Sequence, residues 1–323
     1  MLLAMALLAL APQPKFGAWV LLEDDGKSES RFEANVSCFD SVSGQFYSCT
    51  KDGLVSHVTG IKEESYKNLT DFAHKHHVAV FGLVGDGGLG AAGVEYFLSD
   101  PARMDMHADA LCNAAIADHL EGIDLDYESM KAEDKDNYSL FVEVLAKKLH
   151  KRHKLLSIAL CAKDTEPGGW SGSQSMDYAR IGKVVDRARI MTYDQHEDSG
   201  PAGPVADLGW VQSVMDHALS LIPKQKLELG IPGYGYNWSP PKPSSLNWTE
   251  FSQLPGADQA GRDPASNELL LQTAGGTAWF CDSVSERPKL DLASKLGIRG
   301  VYLWVTGSED PKWWDVLKSR ASK

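Results

Sequence analysis

Apolar residues in this chain recur in two rhythms that take turns. Short apolar runs and period-two alternations lie at residues 16–22, at 35–39 or 45–49, and at 78–84, 122–127, 156–160, 189–193, 227–231 and 300–304, and these read as eight strands. Between most of them the spacing changes to three and four. Tyr138, Phe141, Val142, Leu145 and Leu149 share one helical face, as do Val211, Val214, Met215, Ala218 and Ile222. Asp100 before Pro101 is an N-cap followed by proline at the first helical position, opening a helix that runs to Leu120. Asp310 before Pro311 opens a last helix, ending near Lys318.

Eight strands alternating with helices predict an α/β fold, the (β/α)8 TIM barrel, in which a ring of parallel strands is wrapped by helices. On this reading residues 13–323 form one catalytic domain. The 323 residues exceed the ~250 typical of such a barrel. The clearest surplus is 237–277, an insertion after the seventh strand rich in Pro, Ser, Gly and Trp. A doubly wound open sheet is the architectural alternative. No G-x-G-x-x-G follows the first strand, so a dinucleotide site finds no support.

One alternation carries charge. In "EGIDLDYES", Asp124, Asp126 and Glu128 take every second position between Ile123, Leu125 and Tyr127. On a strand the three carboxylates share one face. In a barrel the apolar set packs outward against helices and the acids line the interior. Burying an ion is costly unless it is paired or protonated, so such acids are seldom kept for stability. Glu128 comes last, at the C-terminal mouth where barrel enzymes carry their active sites.

This segment resembles the D-G-x-D-x-D-x-E signature of family 18 glycoside hydrolases, the chitinases and chitobiases. Glu121 stands where Asp is usual, at the strand entrance. Other segments resemble the family in the same order: "RIMTYD" for M-x-Y-D, with Met191, Tyr193 and Asp194; "IPGYG" within G-x-P-x-Y-G, with Tyr234; "DSVSERPK" for D-x-x-S-x-x-x-K; and "GVYLW", ending in Trp304. The third-strand S-x-G-G is less faithful, since Gly85-Asp86-Gly87-Gly88 lacks the serine. The wording of the motifs is closest to chitobiase-like and spore-cortex-hydrolase-like members.

The resemblance implies hydrolysis of β-1,4-linked N-acetylglucosamine with retention, the substrate's own 2-acetamido group being the nucleophile. It implies Glu128 as general acid and base, protonated beside an ionised Asp126 that orients the acetamide, with Asp124 tuning Asp126. Tyr193 would donate to the acetamide oxygen. Trp304 would floor the sugar whose bond breaks, and Asp194, Met191 and Tyr234 would complete the binding site. No cofactor and no metal are called for. Chitin, the chitobiose core of N-glycans and peptidoglycan share the linkage, so the motif leaves the polymer open. A chitin-binding lectin on the same fold is the non-catalytic alternative, and such proteins typically lose the acid that is present here as Glu128. Trp238, Trp248 and Phe251 in the insertion read equally as sugar platforms or as loop anchors; Trp313 and Trp314 read as packing.

Composition narrows the partners. The chain is 43% hydrophobic and 24% charged, ordinary for a globular domain, and its net charge of −12 argues against nucleic acid or an anionic membrane as main partner. The opening "MLLAMALLALAP" is too short to span a bilayer and resembles the apolar part of a secretory signal, although no Lys or Arg precedes it. No other segment is long and apolar enough to cross a membrane. Five of seven asparagines, Asn35, Asn68, Asn137, Asn237 and Asn247, lie in N-x-S/T, where chance places roughly one in seven. Both features point to a secreted or lysosomal glycoprotein. Cys38 and Cys49 flank a stretch that reads as a hairpin turning at Ser43-Gly44 and would pair in an oxidising compartment; Cys112 and Cys161 read as buried thiols. The histidines at 74, 76, 77, 150 and 153 lack zinc-site spacing and read as solvated helix ends.

Overall fold

The computed structural model describes residues 14–321 apart from Asp24 and Gly88. The apolar opening at 1–12 and the last glycine of the third-strand motif therefore lie outside the described residues. Eight strands form the barrel: β1 Lys15–Val20, β2 Ser41–Cys49, β3 Ala79–Gly85, β4 Gly122–Asp126, β5 Leu155–Cys161, β6 Arg187–Met191, β7 Leu227–Pro232 and β8 Gly300–Trp304. All pair in parallel in the order β1-β8-β7-β6-β5-β4-β3-β2, and pairing of β1 with β2 shuts the ring. Helices at Glu63–Lys75, Pro101–Ala117, Lys135–Lys151, Leu208–Leu221 and Ser283–Leu296 cover it. Asp100 caps the second of these as the sequence suggests, its Oδ1 accepting from the amides of Ala102 and Arg103 at 2.9 Å. The final helix, Trp313–Ala321, begins two residues after Pro311.

Two readings of the region before β3 are corrected. Residues 35–39 are not a strand; Val36–Cys38 is a single 3₁₀ turn. The stretch between Cys38 and Cys49 is not a hairpin but the unbroken strand β2. Ser43 and Gly44 pair with Trp19 and Val20 on one side and with Phe81 and Gly82 on the other. Gly44 serves close packing and not a turn, since a Cβ there would lie 2.4 Å from the Phe46 ring. The nine-residue strand spans roughly 26 Å, which puts Cys38 and Cys49 far beyond the ~7 Å limit for a disulfide. All five cysteines are free.

Histidines end helices here for a backbone reason. His77, His119 and His153 each stand two residues past a helix and adopt φ of 62°, 58° and 56°, the left-handed conformation that stops a helix and turns the chain toward the next strand. His74 meets Glu121 at 3.1 Å and His150 meets Asp186 at 2.8 Å.

The insertion folds as a small antiparallel sheet beside the mouth. Its strands are Gly235–Asn237, Ser244–Leu246, Gly261–Arg262, Leu269–Thr273 and Gly276–Phe280. It buries its own apolar cluster of Leu246, Phe251, Leu271, Ala278 and Phe280. Trp248 and Phe251 pack on Phe280, and the Trp238 indole donates to the Gly200 carbonyl at 3.1 Å, so all three act as anchors. Trp313 and Trp314 pack on Phe16 beneath the barrel wall.

Ile123, Leu125 and Tyr127 do point outward and are fully buried; Tyr127 stacks among Phe97, His107 and Phe141. The inward side is polar. The Arg189 guanidinium, fully buried on β6, donates to Asp124 of β4, to Glu228 of β7 at 2.8 Å and to Ser43 of β2 at 2.5 Å. It lies 3.5 Å over the ring of Tyr302 on β8 and within 5.3 Å of Phe81 on β3. Trp19 of β1 adds its indole N–H to the same Asp124 oxygen at 2.9 Å. Removing one partner from such a buried cluster leaves uncompensated charge. Arg189→Met is therefore expected to cost about 3–5 kcal/mol of unfolding free energy, read from urea denaturation; a loss within the error of the measurement would show that the cluster contributes nothing net.

Candidate active site

The three carboxylates of β4 differ by depth. Asp124 is fully buried and its charge is matched by Arg189. Asp126, one step nearer the mouth, has no ion-pair partner among the described residues, and its Oδ1 is buried without a hydrogen bond. Desolvation, then the negative fields of Glu128, Asp124 and Asp86, drive its proton affinity well above the ordinary carboxyl range. Glu128 follows just past the strand end. Its pKa rises to about 7, first because it is removed from water and next because Asp86 lies close. Burial and neighbouring carboxylates thus raise the proton affinity of both groups.

Asp86 fixes the backbone here. It follows β3 in the loop at 85–87, and its Oδ2 accepts from the amides of Glu128 at 2.9 Å and Ser129 at 2.6 Å. The Glu128 carboxyl is contacted by the thiol of Cys161, at the end of β5, with sulfur 3.7 Å from Oε2.

Around these groups opens a cavity of about 820 Å³ at the C-terminal ends of the strands. Asp126, Glu128, Met191, Tyr193, Asp194 and Trp304 all line it. Trp304 packs edge-on against Trp19, centroids 5.4 Å apart. Asp194 sits just beyond β6 in the left-handed conformation, φ 58°, which an ordinary side chain seldom adopts. Its Oδ1 accepts from the Tyr234 hydroxyl at 2.5 Å and from Tyr236 at 2.8 Å. Gly230 admits the Tyr193 ring, because a Cβ there would fall 3.2 Å from it and 2.5 Å from the Ile190 carbonyl.

Two of the sequence candidates stand behind the cavity wall. Asp124 lies beneath Asp126 and meets only protein. Tyr234 is not among the lining residues; its hydroxyl is spent on Asp194. The structure adds residues that sequence reasoning passed over. Cys161, Lys163, Asp164 and Trp170 come from the end of β5 and the loop after it, Gln195 and Glu197 from the loop after β6, and Trp210 from a helix. Trp170 is half exposed, a broad aromatic face at the rim. Lys163 is occupied, with Nζ 3.0 Å from Glu166 and 2.6 Å from the Met176 carbonyl. The glycines around Trp170 are the available signal.

A closed barrel with two carboxyls of raised proton affinity at its C-terminal mouth is the arrangement of a barrel enzyme of the acid–base type. The sequence profile described as Glycosyl hydrolases family 18 matches residues 26–309, and the chain belongs to that family. It is a glycosidase with a carbohydrate substrate. The uncharacterized glycosylase YvbX of Bacillus subtilis is 28% identical over 233 residues, 68% of this chain and 67% of that one. The cortical fragment-lytic enzyme of the same organism is 26% identical, covering 61% of this chain; this chain spans about half, 49%, of its length. Among solved structures, the Bacillus cereus spore cortex-lytic enzyme SleL superposes with a TM-score of 0.85 at 20% identity, over 95% of this chain and 74% of that one. A chitinase from Chromobacterium violaceum superposes at 0.83 with 22% identity, over 95% and 99%. At these identities the superpositions bear on the fold.

The shifted carboxyl makes stability depend on pH. A carboxyl whose pKa rises from 4.5 unfolded to about 7 folded binds its proton more tightly in the native state. That contribution is complete below the unfolded value and is lost as pH climbs through the folded one. Glu128→Gln removes the titration. Its melting temperature relative to the parent is expected to rise between about pH 5 and about pH 8. An unchanged difference across that range would mean that Glu128 is not perturbed.

Proposed function

We propose that the protein hydrolyses β-1,4 bonds adjoining N-acetylglucosamine in chitin-type oligosaccharides, with retention of configuration. One observation carries the reading: Asp126 and Glu128, two residues apart at the end of one strand, line one open cavity together with Tyr193 and Trp304, and burial with the nearby Asp86 pushes the Glu128 pKa up to about 7. The donor is Glu128, whose O–H protonates the glycosidic oxygen as the C1–O bond breaks. The acetamide carbonyl oxygen of the same sugar attacks C1, giving an oxazolinium ion. Asp126 accepts the acetamide N–H and opposes the developing positive charge, and Tyr193 donates to the acetamide oxygen. Water then attacks C1 as Glu128 takes its proton back. Two inversions at one carbon return the starting configuration. Trp304 floors the sugar, and Asp194, held by two phenols, meets its polar groups.

A second reading, cleavage of peptidoglycan-type chains, is favoured by the names of the cortical fragment-lytic relatives. Against it stands the acidity of the cavity. Besides the two carboxyls of the reaction, Asp164, Asp194 and Glu197 line it, and the lysine on its wall, Lys163, is paired with Glu166. Anionic stem peptides are repelled there. Asn68 and Asn137 are exposed on helices, which supports passage through the secretory pathway; Asn35 is buried and donates to the Arg31 carbonyl, so it is no glycan acceptor in the folded chain.

Glu128→Gln is expected to abolish cleavage of chitotetraose while oligosaccharide binding persists; undiminished turnover rejects the assignment. The wild-type rate should fall as pH rises through about 7, where Glu128 gives up its proton. Proton NMR of fresh product should show the β-anomer first, and the α-anomer would refute retention. Chitotetraose, a glycopeptide and peptidoglycan compared side by side identify the polymer.

A further inference from the structure

We propose that Cys161 is a positioning residue for Glu128, its thiol holding the carboxyl toward the bond to be cleaved and steadying the carboxylate once the proton has left. The inference rests on Glu128 being the acid–base group. Cys161 ends β5, the strand beside β4, and its backbone pairs with Met191 on β6. Its sulfur lies in the cavity wall, 3.7 Å from Glu128 Oε2, and no other described side chain hydrogen-bonds to that carboxyl. The sulfur is held from both ends of its own residue. The Cys161 amide donates to the Met176 sulfur at 3.1 Å, and the Tyr178 hydroxyl donates to the Cys161 carbonyl at 2.6 Å.

The thiol can only donate in this setting. Burial, then the charges of Glu128 and Asp126, hold it protonated well above the ordinary thiol range. Donation to a carboxyl favours its charged form. The charges that act on Glu128 from Asp86, beyond β3, and Asp194, beyond β6, work the opposite way, and Asp126 and the phenols of Tyr138 and Tyr193 feel the charge of Glu128 in turn. Lys163 is turned away to Glu166 and the Met176 carbonyl. Among the described residues the thiol is therefore the one side-chain donor to the Glu128 carboxyl. It is also a weak donor. A strong one would strip Glu128 of its proton before the substrate arrives, and none at all would leave the carboxylate unsupported after transfer.

The test compares Cys161→Ala with Cys161→Ser, which keeps a donor. With chitotetraose as substrate, the alanine variant is expected to lose roughly two- to tenfold in kcat with KM nearly unchanged. The alkaline limb of its pH profile should move up by roughly 0.3–0.7 unit. Serine should return both toward the parent. Titration of a ¹³C-labelled Glu128 carboxyl by NMR reads the same displacement without turnover, so it separates failure of this inference from failure of the proposed activity. Parent-like titration in the alanine variant, or equal displacement by alanine and serine, would overturn the role and leave Cys161 as packing.

Discussion

A single guanidinium organises the interior of this barrel. Arg189 reaches from β6 to side chains on β1, β2, β3, β4, β7 and β8, by hydrogen bonds to Ser43, Asp124 and Glu228 and by ring contacts with Trp19, Phe81 and Tyr302. Small barrels are commonly filled by branched apolar layers. Here the lower layer is ionic, and it works because the cation is planar and can satisfy several partners at once. The arrangement brings acids inside the ring and fixes which of them is neutralised.

That choice sets the chemistry above it. Arg189 matches the charge of Asp124, and among the described residues Asp126, two residues on and one layer up, has no ion-pair partner. The strand thus becomes a gradient, from a paired carboxylate at depth to two carboxyls of raised proton affinity at the mouth. Period-two geometry places the acids on one face; Arg189 pairs Asp124 with a cation, and burial with neighbouring carboxylates raises the proton affinity of the two above it. Asp86 adds to the same outcome in two ways. It pins the backbone amides of Glu128 and Ser129, and its charge discourages ionisation of the glutamate above them.

The barrel and its acid strand were legible because both are periodic. Residues 122–127 announce a strand with two different faces, and the helical spacing around Tyr138 or Val211 leaves little choice of element. Where the sequence misled, periodicity was absent or served another end. Gly44 reads as a turn glycine yet exists to admit the Phe46 ring within β2. Arg187 and Arg189 carry charge within a strand, and closure of the ring encloses both. Loop aromatics carry no rhythm at all. Trp170, not Trp238 or Trp248, faces the cavity, and the difference lies in tertiary packing that no local pattern records. Tyr234 belongs to the right motif, but its phenol supports Asp194 from behind.

The pair of phenols on Asp194 joins two parts of different origin. Tyr234 stands at the end of β7, whereas Tyr236 already belongs to the small antiparallel sheet. The appended sheet therefore reaches back into the reaction chamber through one oxygen atom. Exchange of this appendage between related barrels is not modular: a transplanted version lacking a hydroxyl at that place would release an aspartate held in an unfavourable backbone conformation, and the graft would alter the chamber it was meant only to decorate.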